Sequence, residues 1–326
     1  MTALGVSFSP RRARGRGLDW QRAFRRVLEL ELSPLRLSTY WDGVDGEGYG
    51  ELDWLLEEAG RAGRDVVLTV GMKAQGWPEF AIPDHLVPAV RRGANVVAAA
   101  PELRRAAVEL VQATVARYRD RGCITAWQIE NEPVNRSGPR GWWIGADLVR
   151  EEIAAARTAD PSRPIVLNAF AAFNRRLDVA ASRYGLLRLL GSDRYRPEFE
   201  VGELLLPGDV LGLDVYRRIG YRIFGARLFT TSHRWRDNAA RWHAWAAAVG
   251  RSAWIIEAQA EPWEPETPAG EPPRSCTPGD MIETVGALRD IGYDTILLWG
   301  VEHWLAREAA NDDSWLRAVD RLREAG

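Results

Sequence analysis

A chain of 326 residues, 46% of them hydrophobic, can bury a large core, which excludes disorder and a disulfide-stapled miniprotein. Its 43 basic and 45 acidic residues leave a formal net charge of -2, so neither nucleic acid nor an anionic membrane would meet a basic footprint. The two cysteines, Cys123 and Cys276, make neither a disulfide framework nor a metal cluster, and free thiols are the simpler reading.

The first residues, Met1 to Phe8, read as a short apolar strand and not as a basic leader with a long apolar stretch. No later run approaches the roughly 20 apolar residues of a membrane helix. A soluble cytoplasmic protein is expected, or a secreted one if a signal peptide was removed. Strand candidates begin at Leu4, Leu35, Val66, Ile124, Ile165, Val210, Trp254 and Thr295. Val66 to Val70 and Ile296 to Trp299 are apolar without alternation, as strands buried on both faces should be. Amphipathic stripes lie between them. Trp20, Ala23, Phe24, Val27 and Leu28 form one; Leu103, Ala107, Leu110, Val111, Thr114 and Tyr118 form another. Eight such βα units predict a single (β/α)8 barrel over residues 1–326, a fold typically of about 250 residues. An open doubly wound sheet is the rival, but no Gly-x-Gly-x-x-Gly turn follows the first strand. The extra length falls in three connections: 71–101, 191–207 and 258–278.

Several predicted strand ends carry residues a purely structural strand would not choose. The second supplies Arg36 and then Tyr40-Trp41-Asp42; the fourth ends Gln128-Ile129-Glu130-Asn131-Glu132-Pro133. The sixth supplies Asp214-Val215-Tyr216, the seventh Glu257 through Trp263, and the eighth Trp299-Gly300. Strands four and seven face one another across an eight-strand ring, so Glu132 and Glu257 can converge over the mouth. Two carboxylates about 5 to 5.5 Å apart are what a retaining glycosidase requires. A nucleophile is favoured by a nearby cation and hydroxyl, here Arg36 and Tyr216, whereas an acid needs a raised pKa.

The ordered set Arg36, Asn131-Glu132-Pro133, Tyr216, Glu257 and Trp299 resembles the clan A glycoside hydrolases, the barrel superfamily that includes the family 5 cellulases. The resemblance implies Glu132 as acid/base and Glu257 as nucleophile. It further implies Asn131 on the sugar 2-hydroxyl, Tyr216 holding the nucleophile, Arg36 beneath it and Trp299 as the floor of the -1 subsite. A non-proline cis peptide after Trp299 is also implied. Two departures mark a divergent branch. A histidine common near the end of strand three is replaced by Val70-Gly71-Met72-Lys73, and another after strand six by Arg217-Arg218.

Other residues have less pointed expectations. Strand alternation would aim Glu130 inward below Glu132, with Arg36 as its partner. Glu261, Glu264 and Glu266 fall in a Pro-rich stretch and read as solvated rim charges. Asn168 and His303 are candidate sugar contacts. Trp41, Trp77, Trp142, Trp143, Trp263 and Trp304 fall near predicted mouth loops and are candidate stacking platforms, with Trp41, Trp77 and Trp263 taken as substrate contacts. Trp20, Trp54, Trp242, Trp245 and Trp315 have helical neighbours and should pack against the barrel. The four histidines make no ligand pair, so no metal and no cofactor are expected. The sequence thus reads as a retaining β-glycoside hydrolase of a β-linked glucan, mannan or related oligosaccharide, with a carbohydrate as its partner. The alternatives are an exo-acting β-glycosidase or transglycosylase, and a catalytically silent carbohydrate-binding barrel, which would have no need of both glutamates.

Overall fold

The computed structural model describes residues 2–76, 78–170, 196–223, 226–264 and 273–325. Their backbone closes eight parallel strands into one barrel. In ring order these are β1 (Ala3–Ser7), β2 (Leu35–Ser38), β3 (Val66–Val70), β4 (Ile124–Ile129), β5 (Ile165–Phe170), β6 (Val210–Val215), β9 (Ser252–Gln259) and β10 (Thr295–Trp299). Ala3 beside Thr295 closes the ring, and Leu35 stands level with both Val6 and Val66. Helices cover the outside, which is why β3 and β10 are buried at every position.

Local sequence explains the helix ends. Asp19 caps helix Trp20–Glu29 by accepting from the Arg22 amide at 2.7 Å. Thr277 and Asp280 form a capping box at the start of helix Pro278–Ile291, and Gly292 ends it in the left-handed region. Helix Pro101–Tyr118 buries Leu103, Ala107, Leu110, Val111, Thr114 and Tyr118, the stripe expected from its period. Trp20 meets Trp54 edge-on at 5.0 Å, and Trp242 and Trp315 are buried against the barrel.

One element was not expected. After β6 the chain makes an antiparallel pair, β7 (Arg218–Ile223) and β8 (Ala226–Thr231), with Gly220 opposite Phe229. Arg218 to Arg222 does alternate polar with apolar or small, the available signal for such a strand. The pair follows the C-terminal end of β6 and so adds to the barrel mouth. Both cysteines are free, and no described helix is long and apolar enough to cross a membrane.

Candidate active site

The barrel interior explains the polar floor of the site. Val67, Ala126, Val166, Val210, Ile256 and Leu297 form an inner apolar cluster. Period-two alternation then places Gln128 and Asn168 one inward step higher, and Asp214 two steps above Val210. Arg36 stands level with Val67. All four polar side chains are fully buried. Gly212 lies between Val210 and Asp214; a Cβ there would come 2.6 Å from Ile256 Cγ1 and 2.8 Å from Asn168 Cβ, so only glycine leaves room for Asn168.

Arg36 spends its guanidinium on three acceptors. It donates from Nη1 to Glu257 Oε1 at 2.6 Å, from Nη2 to Asn131 Oδ1 at 2.6 Å, and from Nε to Gln128 Oε1 at 2.8 Å. The Tyr216 hydroxyl donates to Glu257 Oε2 at 2.6 Å, so each carboxylate oxygen of Glu257 has its own donor. Burial, then the Glu257 charge, holds the Tyr216 phenol well above its usual range, which keeps it a donor. Asn168 knits the next strands together. Its Nδ2 donates to Asn131 Oδ1 at 3.0 Å and Asp214 Oδ2 at 2.7 Å, and its Oδ1 accepts from the Glu132 amide at 2.8 Å.

The turn after β4 is strained. Glu130 and Glu132 have φ of +58° and +45°, a left-handed conformation costing non-glycine residues about 1–2 kcal/mol each. It is held by backbone bonds from Glu130 N to Val70 O at 2.9 Å and from Asn131 N to Lys73 O at 2.8 Å. The turn breaks the alternation at Glu130. Its carboxylate does not meet Arg36; it accepts from the Met72 and Lys73 amides at 2.9 and 2.6 Å and faces buried Glu152 of helix Ala146–Ala159. Gly71, at φ +141°, permits this: a Cβ there would fall 2.3 Å from the Glu130 carboxyl carbon. Burial pushes Glu130 up to about 7 and Glu152 well above its usual range.

Glu132 is partly exposed and lines a cleft of about 680 Å³ with Glu79, Asn135, Phe170, Tyr221 and Trp263. Burial pushes its pKa up to about 7; Lys73 opposes that shift, while the charges of Glu79 and Glu257 add to it. Asp214 faces both catalytic candidates and lies well above its usual range, first through burial and then through their charges. Two cations, Arg36 and Lys73, thus serve four carboxyls: Glu79, Glu132, Asp214 and Glu257.

The expected site residues separate on this frame. Arg36, Asn131, Glu132, Asn168, Tyr216 and Glu257 converge in one hydrogen-bonded set. Asn168, fully buried, uses its amide on protein groups below the mouth. Trp299 packs with Tyr216 at the mouth, and Trp263, 47% exposed, meets Tyr216 edge-on at 4.6 Å. Trp41 and Trp304 are corrections: both are buried in the outer core, with Trp304 Nε1 donating to Ala260 O at 2.6 Å. Trp142 is likewise buried, edge-on to Phe80 at 5.8 Å. His303 is half-buried on helix Val301–Ala309 against Trp315, ring centroids 5.3 Å apart, where burial lowers its pKa to about 4. The Trp299–Gly300 peptide is trans, and Gly300 turns the chain at φ +139°. Trp77 and Glu266 lie outside the described residues.

Glu261 is not a rim charge. It is 6% exposed and accepts from Arg12 at 2.5 Å and Arg16 at 2.7 Å. Arg12 also donates to Glu302 at 3.1 Å, and its guanidinium carbon lies 4.4 Å from the Trp299 ring centroid. Helix Pro10–Gly15 and the segments after β9 and β10 thereby close the mouth on the β1 side. The Glu264 side chain is also shielded from solvent, paired with Arg227 of β8 at 3.2 Å. No group of three or more His, Cys, Asp or Glu among the described residues could hold a metal ion.

Solved structures share this architecture. GH5_18 from Streptomyces cattleya, solved with GlcNAc, aligns over 91% of this chain and 70% of its own, at 16% identity and a TM-score of 0.58. The exo-β-1,4-mannosidase of Opitutaceae bacterium strain TAV5 aligns over 92% and 52%, at 14% identity and 0.59. The β-galactosidase of Bacillus circulans sp. alkalophilus aligns over 91% and 50%, at 12% identity and 0.59. The chain shares the (β/α)8 barrel fold of these structures. It spans about half the length of the β-galactosidase and mannosidase chains. No protein-family model matches the sequence, and no curated protein matches it by sequence.

Proposed function

We propose that this chain is a retaining β-glycoside hydrolase with Glu257 as nucleophile and Glu132 as acid/base. One observation carries the reading: two glutamates at one barrel mouth have opposite surroundings. Both oxygens of Glu257 are fixed by donors, while Glu132 is held near neutral pH as a proton carrier. In the first step Glu257 attacks the anomeric carbon and Glu132 gives its proton to the departing oxygen. Esterification removes the Glu257 charge, which lowers the proton affinity of Glu132. Glu132 then takes a proton from water, the water oxygen attacks the same carbon, and Glu257 departs as carboxylate. Asn131 has its Oδ1 committed to Arg36 and Asn168, which leaves its Nδ2 to donate to a sugar hydroxyl.

The shape of the mouth supports cleavage at a chain end. The acid lies on the leaving-group side, so the 680 Å³ cleft beside Glu132 is room for the aglycone. On the opposite side Glu257 and Trp299 are 5% and 7% exposed, and Arg12 lies over the indole. One sugar ring at the non-reducing end suits this arrangement. The exo-β-1,4-mannosidase among the structural neighbours is in keeping with it. The test is a panel of 4-nitrophenyl β-glucoside, β-galactoside, β-mannoside and N-acetyl-β-glucosaminide. One should be hydrolysed with the β anomer released first by NMR. The matching β-linked tetrasaccharide should lose monosaccharides from its non-reducing end and resist when that end is blocked. Release of the α anomer ends the retaining mechanism, internal cleavage ends the exo mode, and no turnover ends the hydrolase reading.

A further inference from the structure

Among 43 basic residues the chain has a single lysine, Lys73, and that lysine is completely buried. Buried cations need partners, and arginine serves at every other basic position, including buried Arg36. What sets position 73 apart is its acceptor geometry. The Lys73 Nζ lies 2.6 Å from Glu132 O, 3.3 Å from Asn135 O and 3.3 Å from Glu79 Oε2. Two carbonyls that accept from the ammonium and a carboxylate that pairs with it by charge alone suit a compact point cation, whereas a planar guanidinium spreads its donors across a fork. Two of those oxygens belong to the turn that begins at strained Glu132.

We propose that Lys73 is the positioning residue of the acid/base. Its ammonium pins the carbonyl of Glu132 and so holds the left-handed turn that aims this carboxyl into the cleft. With Glu79, it also sets the charge that the carboxyl meets. Glu79 and Lys73 come from the segment after β3, and both neighbour Glu132. Asp214 from β6 and Glu257 from β9 face Glu132 from the other side. Around Lys73 the charged neighbours are Glu79, Glu132 and Glu130, with the Phe80 ring centroid 5.8 Å away. The two members of the ion pair act on Glu132 with opposite signs. The cation favours its ionised form and Glu79 its protonated form.

The arrangement offers a probe that needs no substrate. In protein labelled with 15N-lysine, the one side-chain ammonium is Lys73, and its burial slows the exchange of its protons. Because Glu130 also titrates near 7 beside Lys73, the reading is made in Glu130→Gln, where the shift should still move in a step near pH 7 that adding Glu132→Gln abolishes. A flat shift from pH 5 to 9 in Glu130→Gln, or a step that survives the double change, overturns the proposal. The kinetic part rests on the glycosidase reading and is read separately. Lys73→Met should move the alkaline limb of kcat/KM up by about one pH unit, and Glu79→Gln should move it down by a similar amount. Lys73→Arg should restore the charge but not the geometry, leaving the limb near its wild-type position with kcat reduced at least tenfold. Loss of activity with both limbs unmoved would leave Lys73 a packing residue. If the ammonium tracks Glu132 while no glycoside is turned over, the hydrolase reading fails and the Lys73–Glu132 linkage stands.

Discussion

The two sides of the barrel mouth are built by opposite rules. Both oxygens of Glu257 have donors, Arg36 below and Tyr216 beside, and Asn131 and Gln128 take the remaining arms of the arginine. Around Glu132 the backbone is left-handed, carboxyls outnumber cations, and a cleft opens. A group that must bond to carbon needs a fixed position, and complete hydrogen bonding provides it. A group that gives and then takes a proton needs two states of similar free energy, which burial against carboxyl neighbours provides.

Glu257→Ala should separate the two sides most sharply, lowering turnover of every substrate on the order of a million-fold, because no covalent intermediate can form. Added azide should restore part of the rate and give the α-glycosyl azide, identifiable by NMR. Glu132→Ala should cost about a hundred- to ten-thousand-fold on substrates with poor leaving groups and far less on a dinitrophenyl glycoside. Its azide product should be the β anomer. Reversed anomers would exchange the two roles, and near-wild-type rates in both variants would remove the pair from the chemistry.

The surplus of carboxyls also predicts a pH dependence of stability. Glu130 and Glu132 lie near 7 in the folded chain, with Glu152 and Asp214 well above their usual range, whereas unfolded carboxyls titrate near 4 to 4.5. Between those limits the folded state holds more protons, so stability falls as pH rises from about 4.5 to 7. Thermal denaturation should give a higher Tm at pH 5 than at pH 8. Glu152→Gln, which mimics the protonated acid, should match wild type near pH 4 and exceed its Tm at pH 8. An equal or lower Tm at pH 8 would mean that the Glu130–Glu152 contact is not a protonated one. The smallest effect concerns the cleft. Trp263→Ala should raise KM about three- to tenfold with kcat little changed, since the ring is exposed and meets Tyr216 edge-on at the site edge. A fall in kcat instead would place Trp263 among the groups that orient Tyr216.

Much of this was legible because periodicity is a local property. The apolar run from Val66 to Val70 can lie only where both faces are covered, and the Leu103 to Tyr118 stripe only where one is. Glu132 and Glu257 stood out because a carboxyl at a strand end belongs to a barrel mouth, and ring geometry makes strands four and seven face each other. The hairpin after β6 was missed although Arg218 to Arg222 alternates, because so short a segment competes with a loop reading.

The remaining features depended on contacts between distant segments. Glu130 was expected inside the barrel by period two, but one left-handed dihedral, held by bonds to the β3 segment, turned it out against Gly71 and Glu152. Glu261 read as a solvated charge because it falls in a Pro-rich stretch; its partners, Arg12 and Arg16, come from 249 and 245 residues away. Trp41 and Trp304 looked like mouth residues by position, and helix packing decided that they join the outer core. The sequence determined the eight strands and the two carboxyls, since alternation and residue type are fixed along the chain. Which carboxyl is held by donors and which by burial was decided by the tertiary structure, because a proton affinity is the sum of every charge and dipole that folding brings within a few ångströms.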